Sequence, residues 1–306
     1  MRNITLYLLF FFCYTASFAQ HVSSPKKAGD LIGATSYNDH KRGKPRSVQY
    51  LPDGEDFVCV NGKNRYTRAL YGSPTAWRLE TSDRPIFATY VKRDSRNIRF
   101  RLCLPDGKVT SLEETTWCEA RYTPGRRSYR LKDDAWGEKA LLEIAVLASP
   151  VEEEAVWEFR AQGFPEGCTL EALNAPIRLN KLSRSGDMGA DPPGCFDPSE
   201  DGKVLQALTC PLSSEKALYI AVSNNELRQI NNSGQFIEME NARRELAGRI
   251  RISTPDPYFN TLGGALAVAA DGIWGEEGVW LHGAIGWRMP VSYTHLRAHE
   301  TLRHLV

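Results

Sequence analysis

The sequence lacks several short motifs that identify common enzyme classes. It contains no Cys-x-x-Cys pair, no Gly-x-Ser-x-Gly elbow and no glycine-rich phosphate-binding loop. These absences argue against a structural zinc site, a Ser-His-Asp hydrolase and a nucleotide-binding loop, respectively. We therefore expect no metal and no other cofactor. The sequence also has almost no net charge (+1, from 38 Lys and Arg against 37 Asp and Glu), which disfavours nucleic acid as a partner.

Long apolar runs are missing except at the amino terminus. There Arg2, the apolar run Leu6–Phe12 and the small residues around Ser17 and Ala19 follow the order of a secretory signal peptide. We expect residues 1–19 to be removed and the mature protein to be periplasmic or extracellular. The run is shorter than the ~20 residues of a membrane helix, so we expect no membrane span after cleavage.

Six cysteines remain after that cleavage, namely Cys59, Cys103, Cys118, Cys168, Cys195 and Cys210. An oxidising compartment permits disulfides, but sequence alone does not choose a pairing. Because a chain of this size can be stabilised by its core, we expect most of these cysteines to be buried thiols, with room for one or two disulfides. Residues 20–47, rich in Lys, Arg, Gly and Ser, are expected to form a flexible basic leader.

Residues 48–254 are dominated by the alternation of apolar and polar residues that is typical of strands. Phe57–Val60 runs into Asn61-Gly62, which predicts a hairpin with Tyr66–Tyr71. Further strands are predicted from the alternation or apolar runs of Ile98–Leu104, Leu141–Leu147, Trp157–Ala161, Ala217–Val222 and Leu246–Ile252. Many strands with few helical stretches indicate a mainly β fold, here a large antiparallel β-sandwich.

One long segment, residues 181–196, interrupts this pattern with many turn-forming residues. Long loops on a rigid scaffold often carry function, so Asp187 and Asp191 are candidate substrate-binding residues. The alternative is a surface loop without chemistry. The spacing of the two aspartates also hints at calcium, but the other oxygen ligands of an EF-hand are missing.

Helical periodicity begins after Thr254. Asp256 is a good N-cap and Pro257 suits the first helical position. One helix face then carries Tyr258, Leu262, Ala265, Leu266 and Ala269, and Asp271-Gly272 ends the helix. Because a single helix cannot bury its apolar face, we expect residues 255–290 to begin a helical domain.

The stretch that follows this helix contains three of the seven tryptophans. Aromatic rings bind the apolar faces of sugars, while His and Arg can bond their hydroxyls. The candidate substrate-binding residues here are Trp280, His282, Trp287 and Arg288, although tryptophans also fill cores.

The final residues, 291–306, match the translation of a transposon-based sequencing adapter. A naive interpretation would place a metal site at His295, His299 and Glu300. Because the whole run from Val291 to Thr301 matches the adapter, we interpret it as translated adapter sequence. We therefore expect the chain to be a truncated product whose natural sequence stops near Pro290.

Three stretches resemble a known family: Leu51–Phe57, Arg78–Pro85, and Ser253–Asn260 continuing through Trp287–Pro290. The family is an uncharacterised N-terminal β-sandwich of large secreted bacterial proteins, in which the sandwich precedes a six-hairpin (α/α) toroid of glycoside-hydrolase type. The resemblance implies a sandwich followed by the first helix of a truncated toroid. It carries over no catalytic residue.

The first functional hypothesis is therefore a fragment of a glycoside hydrolase that acts on a polysaccharide or oligosaccharide. Such enzymes need two carboxylates, and the loosely plausible ones are Asp187, Asp191, Asp256, Asp271, Glu276 and Glu277. We expect the fragment alone to be inactive. The alternative is a non-catalytic carbohydrate-binding or structural sandwich, which would use exposed aromatics such as Trp77, Trp117, Trp136 and Trp157, although each of these fits a core equally well. A polysaccharide lyase is a third possibility, but lyases usually place the sandwich after the toroid.

Overall fold

The computed structural model describes residues 50–63, 66–72, 75, 77–90, 94–179, 194–231, 233–275 and 279–280. In these residues the chain forms two large antiparallel sheets and a two-stranded ribbon, with few helices, so the predicted mainly β, antiparallel sandwich is confirmed. The predicted signal peptide, leader and tail lie outside the described residues and stay predictions.

The first sheet has eight strands within the described residues. In spatial order they are β1 (Leu51–Asp53), β2 (Asp56–Val60), β8 (Trp117–Thr123), β9 (Arg126–Lys132), β10 (Leu141–Ala148), β11 (Glu154–Gln162), β14 (Leu218–Ser223) and β15 (Glu226–Ile230). Strands β8 and β9 alternate strictly between buried and less buried positions, and β10 does so from Leu141 to Val146, as expected for a sheet with one face on the core.

The second sheet has seven strands within the described residues. Its main path is β13 (Gln206–Pro211), β12 (Thr169–Pro176), β6 (Arg96–Cys103), β5 (Ile86–Tyr90), β4 (Arg78–Ser82) and β3 (Tyr66–Tyr71), and β7 (Val109–Ser111) pairs with β6. The predicted strands at Ile98–Leu104, Leu141–Leu147, Trp157–Ala161 and Ala217–Val222 correspond to β6, β10, β11 and β14.

The main core lies between the two sheets. Phe87 and Phe100 of the second sheet meet Trp157 and Phe159 of the first sheet in edge-to-face contacts, with ring centroids 4.9 to 5.5 Å apart. All four side chains are fully buried. Such contacts stabilise the fold beyond the burial of apolar area, so these rings help to fix the position of one sheet relative to the other.

The predicted hairpin at Asn61-Gly62 is wrong. Strand β2 pairs with β1 and β8, while β3 pairs with β4 in the other sheet. Asn61 does adopt the left-handed conformation that the motif suggests, with φ of 50°. However, its backbone N–H donates to Cys118 O at 2.8 Å and its side chain accepts from Cys118 N at 2.9 Å, so the turn is held against β8.

The predicted strand at Leu246–Ile252 is also wrong. Helix α1 (Gly234–Ala247) includes Leu246, and no strand follows in residues 248–256. The helix packs Phe236 and Met239 onto the outer face of the first sheet, against Leu147, Val156 and Tyr219. These two residues are three positions apart and therefore lie on the same face of the helix. Their burial against the sheet stabilises the helix more than the short alternation of residues 246–252 would stabilise a strand.

The predicted helix start is confirmed. Helix α2 (Pro257–Asn260) has Pro257 in its first turn, and the Asp256 carboxylate accepts from Tyr258 N at 2.9 Å. Helix α3 (Leu262–Gly272) follows and ends at the predicted glycine.

The predicted buried face of this helix is only partly right. Tyr258, Leu262 and Ala265 pack against the main core, but Leu266 and Ala269 are exposed. Small residues of α3 lie against the preceding backbone instead. A Cβ added at Gly263 would lie 2.9 Å from Ile250 O, so backbone contact at this point selects glycine.

Most of the six cysteines are buried, as predicted. All six lie in described residues, no disulfide joins any two of them, and only Cys103 is half-buried. No helix in the described part of the chain is both long and apolar enough to cross a membrane. The division into domains at residue 254 stays a prediction, as does a toroid beyond α3.

Candidate functional site

The outer face of the second sheet carries an unusual set of side chains. While Leu70, Leu79 and Ile98 point into the main core, their strand neighbours point outward. We call this set the polar–aromatic surface; it consists of Tyr66, Tyr71, Arg78, Glu80, Tyr90 and Asn97.

An ion pair occupies the centre of this surface. Arg78 donates through Nε to Glu80 Oε1, and the two side chains are only 2% and 12% exposed. The Arg78 guanidinium also lies over the ring of Tyr90, 4.0 Å from its centroid. Because an ion pair and a cation–π contact both hold Arg78, its orientation is fixed.

A second group holds the surface to the segment that crosses it. Asn97 Nδ2 donates to Tyr66 OH at 3.0 Å and to Phe196 O at 2.9 Å, and Tyr66 OH donates to Phe196 O at 3.1 Å. Burial, followed by the nearby Asp197, raises the pKa of Tyr66 well above its ordinary value. Burial and then Glu80 raise the pKa of Tyr71 in the same way. Both phenols therefore stay protonated at neutral pH, and Tyr66 serves as a hydrogen-bond donor rather than as a base.

The predicted site residues cannot be placed directly. Asp187, Asp191, His282, Trp287 and Arg288 lie outside the described residues. Trp280 is described only through its backbone, which pairs with Trp274 in the short ribbon of β16 (Trp274–Gly275) and β17 (Val279–Trp280).

The described residues that flank these segments nevertheless share one location. Leu179 and Cys195, on either side of the predicted loop, pack in the apolar cluster that contains Tyr66, Tyr71 and Tyr90. At the end of α3, a Cβ added at Gly272 would lie 2.5 Å from Tyr71 Cβ. The two described ends of the predicted loop and the last residue of α3 therefore lie beside the polar–aromatic surface.

The remaining candidate carboxylates do not form a catalytic pair in the described residues. Asp256 caps its helix, Asp271 is exposed in the last turn of α3, and Glu276 and Glu277 are not described. The described residues also contain no group of three or more His, Cys, Asp or Glu side chains that could hold a metal ion.

The tryptophans that a carbohydrate-binding sandwich would need are mostly internal. Trp77, Trp136 and Trp157 are at most 6% exposed and belong to the main core. Trp117 is half-buried, with Lys132 Nζ 5.9 Å from its ring centroid. These four residues therefore form no exposed aromatic row.

Sequence reasoning missed a depression on the outer face of the first sheet. Its floor is Ser128 and Ala145, which are neighbours on β9 and β10, and its volume is about 210 Å³. Arg121 lies beyond Ser128 on β8, and Glu158 lies beyond Ala145 on β11. We call this depression the notch. No strand was predicted at β8 or β9, so the pairing of Ser128 with Ala145 gave no signal of a site in the sequence.

One end of the notch is a hydrogen-bonded group. Glu158 Oε1 accepts from Tyr219 OH at 2.6 Å and from Arg160 Nη2 at 2.7 Å. Burial, together with the hydrogen bond to Glu158, raises the pKa of Tyr219 to about 12. Tyr219 thus remains a donor that fixes the carboxylate at neutral pH.

Comparison with known proteins gives one match. The family model described as "Domain of unknown function (DUF4450)" matches residues 94–206, a little over a third of the chain. The matched segment runs from just before β6 to the start of β13 and includes all four strands that line the notch. A search of curated proteins gives no match.

Proposed function

We propose that this chain is the sandwich part of an exported carbohydrate-active enzyme of glycoside-hydrolase type. In this proposal the sandwich is not catalytic and supports a helical domain that acts on a polysaccharide or oligosaccharide. An activity on carbohydrates is supported by the resemblance to sandwiches that precede a toroid, which is carried by Leu51–Phe57, Arg78–Pro85 and Ser253–Asn260. A periplasmic or extracellular location follows from the predicted signal peptide.

The observation that carries the proposal is the apolar surface of the helical segment. Five large apolar side chains between residues 233 and 275 have exposed fractions from 37% to 53%, namely Ile237, Ile250, Phe259, Leu266 and Trp274. Burying one such side chain fully contributes about 1.5–3 kcal/mol. A helical partner would cover these side chains, and the exposed small residues Ala269 and Ala270 of α3 would allow it to approach closely.

The polar–aromatic surface supports the same arrangement. It is a rigid platform, because Arg78 and Asn97 are each held by two partners. Leu179 and Cys195, which flank the loop that contains Asp187, and Gly272, which ends α3, lie beside it. A platform of this kind would orient binding segments towards a site in the neighbouring domain.

The test compares the mature chain with a longer protein that continues into helices, recovered from the intact gene. We expect the mature chain to bind the dye ANS and to hydrolyse no glycan, and the longer protein to lose ANS binding and to gain hydrolysis. Leu266→Ser should reduce ANS binding by the mature chain, whereas Val151→Ser, a matched change at a site that is 78% exposed, should not. Glycan hydrolysis by the mature chain, or a mature chain that binds no ANS, would contradict the proposal.

A further inference from the structure

The notch on the first sheet is built from two rows of side chains that run across the strands. In one row, the register aligns Glu119, Arg130, Glu143 and Arg160 on β8, β9, β10 and β11. In the next row, the same strands carry Arg121, Ser128, Ala145 and Glu158. Because neighbouring strands are ~4.8 Å apart, the two small residues leave a gap of roughly 14 Å between the backbones of Arg121 and Glu158.

The charges around the notch are already balanced. Arg130 Nε lies 3.3 Å from Glu143, and Arg160 lies 2.7 Å from Glu158. Arg121 bonds Asp53 at 2.8 Å and Asp56 at 2.9 Å. A charged ligand would have to displace one of these partners, whereas an uncharged ligand would not.

The same side chains keep hydrogen-bonding capacity for a ligand. An arginine has five N–H donors and a carboxylate has about four acceptor positions, which is more than the ion pairs use. Arg126, which also lines the notch, bonds Glu240 through Nη1 at 3.3 Å, yet its buried Nε has no hydrogen-bond partner. Donors and acceptors therefore alternate around a floor of two small side chains.

We propose that the notch binds an uncharged, hydroxyl-rich ligand, namely one neutral sugar unit. Each hydroxyl both donates and accepts, so it can bridge an arginine and a glutamate without separating them. The notch is smaller than the ~300 Å³ at which pockets for drug-sized ligands begin, and it therefore fits one unit of a chain that lies across the strands. This site goes beyond the supporting role proposed above, because it lies on the sheet opposite to the polar–aromatic surface.

The experiment is saturation-transfer NMR on the full mature chain with methyl glycosides of glucose, galactose, mannose, xylose and arabinose, and with galacturonate as the charged probe. We expect at least one neutral glycoside to bind with a dissociation constant in the millimolar range or tighter. Ala145→Leu fills the notch and should weaken that binding at least tenfold. Gln162→Leu, which introduces the same side chain at an exposed site at the end of β11 that does not line the notch, should leave it unchanged.

A second variant guards against misfolding. Glu158→Gln keeps the size of the side chain and removes one charge, and it should weaken binding while circular dichroism and the Tm stay close to those of the parent. The proposal is overturned if no neutral glycoside binds, if binding survives Ala145→Leu, or if only galacturonate binds. None of these results bears on the supporting role, which is tested by ANS binding and hydrolysis.

Discussion

Arg127 and Asp83 face each other inside the sandwich, with 3.9 Å between Arg127 Nη2 and the Asp83 carboxylate, and neither side chain is exposed to solvent. Tyr50 links them, because its hydroxyl donates to Asp83 and accepts from Arg127 at 2.6 Å. Arg127 also donates to Ser82 O at 2.9 Å. The group ties β9 of the first sheet to the end of β4 in the second, so it locks the two sheets together.

The first prediction concerns this buried pair. Asp83→Asn leaves the Arg127 charge without its counter-charge, and removing one partner of a buried pair costs about 3–5 kcal/mol. We expect a loss of that size in the free energy of unfolding measured in urea. Asp106→Asn is the control, because Asp106 pairs with Lys108 on the surface, where water and salt screen the interaction and its loss should change stability little. Equal losses in the two variants would show that the pair does not hold the sheets together.

The second prediction concerns the attachment of α1. The Glu154 side chain is 1% exposed and accepts hydrogen bonds from Arg228 and from Gln235, which lies in the first turn of α1. Glu154→Ala should lower the free energy of unfolding by roughly 1.5–3 kcal/mol, the usual contribution of hydrogen bonds to charged groups.

Hydrogen exchange distinguishes local loosening from general destabilisation in this variant. Residues 234–247 should exchange faster than the strands of the main core. Glu226→Ala, an exposed change on β15, should leave the exchange of α1 unchanged. Uniform acceleration over the whole chain would argue against a specific role for Glu154 in holding α1.

The third prediction is a pH dependence centred on Glu240. Burial alone would raise the pKa of this carboxyl, but hydrogen bonds and charge from Arg243, Arg126 and Arg244 outweigh burial and leave the pKa below its ordinary value. A lowered pKa in the folded state stabilises the protein above the unfolded pKa of ~4.3, and this contribution is lost as the pH falls through the folded value.

Urea unfolding of Glu240→Gln at pH 7, 5, 4 and 3 measures this contribution. The variant should be less stable than the parent at pH 7 and pH 5, and the difference should narrow from pH 4 to pH 3. Glu245→Gln, on the same helix but exposed, should show no such convergence. A difference between parent and Glu240→Gln that stays constant with pH would mean that the ionised carboxylate is not what stabilises the fold.

Some strands of the main core, such as β6 and β11, were predictable because their signal is local. In β11, Trp157 and Phe159 alternate with polar residues, and this period of two places them on one face whatever the topology. Asn61-Gly62 shows the limit of local signals. The motif correctly indicates a left-handed turn residue at Asn61. Which sheet the next strand joins depends instead on contacts with β8, which lies more than fifty residues away in the chain.

The candidate surfaces were beyond sequence reasoning for the same reason. Tyr66, Asn97 and Phe196 meet only because β3, β6 and the segment after residue 193 converge on one sheet face. The notch depends on a register that aligns two small residues, Ser128 and Ala145. Neither arrangement leaves a motif in the sequence, whereas the cap at Asp256 was predicted because its partners are adjacent in the chain.

The fourth prediction concerns the cysteines. Burial raises the pKa of the Cys118 thiol to about 12, and burial also raises the pKa of Cys168 and Cys210. Only the thiolate reacts with alkylating agents, so these three thiols should be unreactive in the folded protein at pH 8. Cys103 is only half-buried and should react first.

Iodoacetamide labelling followed by peptide mass spectrometry tests this order. In native buffer the label should accumulate on Cys103, and in urea it should reach all six cysteines at similar rates. Cys103→Ser should abolish the fast phase and leave the slow phase unchanged, which assigns the fast phase to that residue. Because export would expose the chain to oxidants, the same peptides should be mapped without reduction. A cross-linked pair, or labelling of Cys118 as fast as Cys103, would mean that the buried thiols are accessible and that the packing around β8 is looser than the structure shows.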